Sequence, residues 1–174
     1  MSRLMTRAAA LLVIAAAGAF AGPGNAQAHP VSGSAVAGVG QVTLDEPNTV
    51  GDRVWFAILA ATAADGSSDG RFWFRHLSPD GTLRGEGWAE VTCLQVTGNV
   101  ALFTAVVPEG VGVVKNHAFY MKITDRDAKP DQVSFIQAQN GSERPPTECI
   151  DFDVVFPGQP RYPVLTGGYT VHAG

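Results

Sequence analysis

The chain has 174 residues, with 12 Lys and Arg against 16 Asp and Glu, and is 45% hydrophobic. That length suits one domain rather than two once a leader is set aside. The acidic balance, with no basic run longer than one residue after Arg7, argues against nucleic acid and anionic membrane surfaces as partners, because both demand clustered Lys and Arg.

In chain order, residues 1–28 read as a secretory signal peptide. Arg3 and Arg7 make a positive start, and Ala8 to Phe20 is an unbroken apolar run of 13 residues. A membrane-spanning helix needs about 20, so the run is read as a leader and not an anchor. Gly22-Pro23-Gly24 breaks the helix, and Ala26-Gln27-Ala28 offers a cleavage site, with Ala19-Phe20-Ala21 as an earlier candidate. No Cys follows the run that could carry a lipid. Removing residues 1–28 takes two of the 12 basic residues and none of the 16 acids, leaving 10 against 16 and a formal charge of −6. The expected product is a soluble protein outside the cytoplasm, with no transmembrane segment in its mature chain.

Residues 29–52 are rich in Gly, Ser, Ala and Val and are expected to be flexible, with an edge strand available at Val36, Val39 and Val42. A β domain over 53–174 follows. Arg53 to Ala61 alternates Val54, Phe56 and Ile58 against Trp55, Ala57 and Leu59. Arg71 to Leu77 alternates Phe72, Phe74 and His76 against Arg71, Trp73 and Arg75. Leu83 to Val96 is a long strand containing Trp88 and Cys93, and Thr97-Gly98-Asn99 turns it into Val100 to Val107. Ala118 to Thr124, Gln132 to Ala138, Ile150 to Phe156 and a short Tyr169 to Val171 complete the set. After the leader no window has a helical period. The fold class is therefore all-β: a single antiparallel barrel, or second a sandwich, of seven to nine strands in mainly meander order. Cys93 and Cys149 are expected to form one disulfide, since two cysteines in an exported chain lacking a C-x-x-C pair usually do.

Gly87 to Ala101, GWAEVTCLQVTGNVA, resembles the V-T-C-L-x-V-x-G-N-x-A signature of an uncharacterised family of secreted β-domains from high-GC Gram-positive bacteria. Ile123-Thr124-Asp125 with Pro130-Asp131, and Gly168 to His172, match two further segments of that family more loosely. The chain has Gly87 and Trp88 where the family often shows His-Gly. The resemblance implies export and an all-β fold, and it implies no activity and no site residues.

Cleavage after Ala28 would expose His29, whose imidazole and free amine form a copper chelate that His76, His117 or His172 would have to complete. Asp125, Asp127 and Asp131 offer hard oxygens for calcium, though Arg126 and Lys129 can neutralise them and the spacing is not that of an EF-hand. No G-x-S-x-G or H-E-x-x-H motif is present, so catalysis is not expected and no cofactor is required. Arg71, Trp73 and Arg75, on one strand face and with Trp55 and Trp88 on adjacent strands, form a candidate binding surface. The leading expectation is a non-enzymatic extracellular or cell-envelope module that binds a cell-wall glycan or an extracellular protein, an acidic one, because the arginines rim the rings with positive charge. A barrel carrying an apolar ligand among Phe56, Phe72 and Phe74, or a copper protein using His29, are the alternatives.

Overall fold

The computed structural model describes residues 33–112, 117–138 and 147–174, and the expected signal peptide and His29 lie outside them. Nine antiparallel strands are found among the described residues: β1 Ala35–Thr43, β2 Arg53–Thr62, β3 Ser68–Leu77, β4 Leu83–Thr97, β5 Val100–Gly112, β6 Ala118–Thr124, β7 Gln132–Ala138, β8 Tyr162–Pro163 and β9 Thr166–His172. They form one sheet in the order β8-β7-β6-β5-β4-β3-β2-β1-β9. The all-β meander read from the sequence is the fold, as a single curled sheet and not two facing ones.

Alternation drives each strand, because successive side chains point to opposite faces. Val54, Phe56, Ile58 and Ala60 of β2 and Phe72 and Phe74 of β3 are buried, while Arg71 and Arg75 are exposed. Between β4 and β5 the two-residue turn Gly98-Asn99 needs the positive φ of 59° that Gly98 supplies. The inward rings meet across the curl. Phe72 of β3 lies 5.5 Å from Phe103 of β5 and 5.3 Å from Phe119 of β6, and Phe56 of β2 lies 5.0 Å from Phe135 of β7. Removing each such ring from water is worth about 2 kcal/mol.

The C-terminal segment joins the two edges of the sheet. Tyr162 and Pro163 pair with Val133 and Gln132 of β7. Val164 N then donates to Asp131 O and Leu165 N to Gln41 O, both at 2.8 Å, and β9 runs antiparallel to β1 from Gln41 back to Ala35. Along its other side, β9 is met by side chains: Asp131 Oδ2 accepts from Tyr169 N at 2.7 Å and Asp125 Oδ2 from Val171 N at 3.0 Å.

Two expectations are corrected. Residues 35–43 form β1, which is not an edge strand but an inner one bonded to both β2 and β9. Its small residues are what allow this, since a Cβ on Gly40 would sit 2.8 Å from the Tyr169 ring. The strand expected over Ile150 to Phe156 is instead a short helix, α1 Phe152–Val155. The Asp151 side chain caps it by accepting from Asp153 N at 3.1 Å. Only Phe152 of the apolar set is buried, with Val154 74% and Val155 52% exposed.

Candidate functional site

Among the described residues, the outer face of the sheet divides into a covered and an uncovered part. Over β4 to β6 runs a strap, residues 147–156. The Cys93–Cys149 disulfide ties it to β4 with a Cα separation of 5.4 Å. Thr104 of β5, wholly buried, donates its hydroxyl to Glu148 O at 2.8 Å, and Lys122 of β6 pairs with Asp153 at 2.5 Å. The Lys122 ammonium, with Arg161 beside it, holds the Asp153 carboxyl below its ordinary range.

Over β1 to β4 lies a plate of aromatic and charged side chains. Register fixes its grid. Trp73 of β3 stands opposite Ala57 of β2 and Trp88 of β4, and Ala57 stands opposite Val39 of β1. Trp73 is half-buried, and its ring lies 6.3 Å from that of Trp88, which is 59% exposed. Leu59 is 71% and Val39 49% exposed on the same face. Trp55 stands opposite Arg75, with the Arg53 guanidinium 5.8 Å from its ring centre. An open groove lined by Leu59, Ala60, Ala61, Asp69, Gly70 and Arg71 continues the plate at one end.

Arg71, Trp73 and Arg75 thus share the face that their alternation placed them on, with both arginines exposed. The sequence reading did not foresee their partners. Glu90 stands opposite Arg71 and Glu86 opposite Arg75, the latter pair 3.9 Å apart. Glu86, Trp88 and Glu90 repeat on β4 the charge-ring-charge alternation of β3, which was the available signal for Trp88. An oppositely charged partner directly across an antiparallel pair is favourable, so the plate carries charge without an excess of either sign on these two strands.

The remaining candidates have other neighbours. Asp125 and Asp131 bond the backbone of β9, Asp131 also accepts from Arg126 N at 2.8 Å, and Asp127 is exposed. His76 Nε2 lies 2.7 Å from Asp52 Oδ2, His117 Nδ1 lies 2.6 Å from Gln137 Nε2, and His172 is exposed on β9. Among the described residues no three His, Cys, Asp or Glu side chains converge in a way that could hold a metal ion. Phe56, Phe72 and Phe74 pack ring against ring, at 5.7 and 6.2 Å along the series. Compared with known proteins, the chain matches no family model, no curated protein and no solved structure.

Proposed function

We propose that this is a non-enzymatic binding module of the cell exterior or envelope, and that it binds through the outer face of β1 to β4. The observation that carries the reading is the pair of the half-buried Trp73 and the exposed Trp88 on the part of the sheet that the strap leaves bare. Monomeric soluble proteins seldom leave contiguous apolar surface open without a use, and amphipathic rings on a rigid scaffold are the groups that anchor interfaces. The rings here are held by strands, so binding costs little ordering of the site.

Export by the segment 1–28 fits the remaining features. The disulfide is of the kind that persists in oxidising compartments. No described helix is long and apolar enough to cross a membrane. The resemblance of Gly87 to Ala101 to a secreted bacterial family points the same way. A cell-wall glycan is the favoured partner class, with an extracellular protein second.

Replacing the more exposed ring tests the site. Trp88→Ala is expected to weaken cosedimentation with isolated bacterial cell walls about tenfold while shifting the melting temperature by less than a few degrees. If binding survives intact, the face is not the site.

A further inference from the structure

Resting on that assignment of the face, we infer that its ligand is an uncharged polysaccharide lying across the strands along the row Val39, Ala57, Trp73 and Trp88. Three features of the plate lead there. The first is its shape. Register sets these four residues side by side on consecutive strands, and three interstrand spacings cover roughly 14 Å. Small side chains at Val39 and Ala57 leave a low track that rises to the paired rings. An extended polymer several rings long fits this track better than a single small molecule does.

The second feature is charge. An acidic ligand needs a surplus of positive groups that are not already spent. Arg71 and Arg75 instead face Glu90 and Glu86 across the β3–β4 pair, with the Arg75 to Glu86 distance at 3.9 Å. A polyanion laid over the rings would meet two carboxylates as well as two guanidiniums. The same argument disfavours single-stranded nucleic acid, which also stacks on aromatic rings but requires a basic groove.

The third feature is what flanks the track. Leu59, Arg71 and Glu90 stand in register along one side, and Trp55, Arg75 and Glu86 along the other. Guanidinium and carboxylate groups side by side supply both donors and acceptors. Hydroxyl groups, each a donor and an acceptor at once, are the chemistry that uses both. Apolar faces of sugar rings would lie on Trp73 and Trp88, with the hydroxyls turned to the flanks.

Electrophoresis of the full chain through native gels cast with soluble polymers tests this. Hydroxyethylcellulose, glucomannan and laminarin are the uncharged probes, and polygalacturonate, lipoteichoic acid and single-stranded DNA are the polyanions. At least one uncharged polymer is expected to retard the protein equally at low and high salt. Trp88→Ala is expected to weaken that retardation about tenfold, the scale of losing one stacked ring. Within the binding polymer's oligosaccharide series, affinity should climb with chain length until the track is filled. Retardation by polyanions alone, lost in salt and lost in Trp88→Ala, would overturn the uncharged-ligand inference and leave the face as the site. Retardation by an uncharged polymer that Trp88→Ala does not weaken would overturn the face itself, and no retardation by any polymer would overturn the inference. Unchanged near-ultraviolet circular dichroism apart from the lost indole shows that the variant is folded.

Discussion

Asp52 enters β2 with its side chain only 1% exposed, and a carboxylate so placed is costly unless cations answer it. His76 Nε2 and Arg84 Nε lie 2.7 and 2.8 Å from its Oδ2, while Oδ1 is buried with no partner among the described residues. One side chain thereby ties the β1–β2 loop to the end of β3 and the start of β4. Asp52→Ala leaves Arg84 and His76 without their anion and opens a void. It is expected to cost about 2 kcal/mol through the lost hydrogen bonds and the void, read as a lower urea midpoint with an unchanged slope, and Arg84→Ala, which leaves the Asp52 carboxylate buried without its guanidinium, is expected to cost at least as much. Nothing in the sequence marks Asp52, because its partners are 24 and 32 positions away and meet it only through strand register. Trp73 was legible for the opposite reason. Its neighbours Arg71 and Arg75 share its face by local alternation alone, whereas Glu86 and Glu90 reach that face through the β3–β4 pairing, which also shifts register between His76 and Leu77.

The strap shows how an element can be misread when its period is short. Ile150, Phe152, Val154 and Phe156 alternate as a strand would, but the disulfide and the Thr104 bond to Glu148 O hold the segment over the face of the sheet, and Asp151 begins a helical turn instead. The strap's attachment, in contrast, was legible from the two cysteines. Its disulfide closes a separation of 56 residues, which on the chain-entropy model stabilises the fold by about 4 kcal/mol. The Cys93→Ala/Cys149→Ala pair is therefore expected to lose most of that in urea unfolding. Limited proteolysis should then cut first within residues 147–156, since Phe152 and the Thr104 contact hold the strap less strongly than a covalent bond. Stability of the double variant equal to the parent's would mean that the strap is held by its noncovalent contacts alone.

At the scale of the molecule, two tyrosines hold the closing segment against the sheet. Tyr162 donates its hydroxyl to Glu46 Oε1 at 2.7 Å, and Tyr169 donates to Phe56 O at 3.0 Å. Burial raises both phenols well above their ordinary range, helped by Glu46 and Asp45 at Tyr162 and by Asp131 at Tyr169. Below a pH of about 10 both folded and unfolded phenols keep their protons, so stability there is indifferent to these groups. Above it the unfolded chain releases protons that the folded chain retains, and stability must fall as pH rises. Phenolate absorbance and loss of β-sheet circular dichroism should therefore rise together in an alkaline titration, and in Tyr169→Phe the unfolding should move to higher pH. The sequence pattern read the strands of this sheet and led to the expectation of a closed barrel, but not to the device that joins its edges, a segment that changes partner between Val164 and Leu165, from β7 to β1. That change of partner also orders events in time. Every other strand pairs with a neighbour in sequence, so the meander can grow hairpin by hairpin. The last strand must find β1, which lies more than a hundred residues back, and the ring of hydrogen bonds stays open until it does. Until residues 162–172 have been made, the meander therefore has β1 as an open edge, and β1 gains its second partner last.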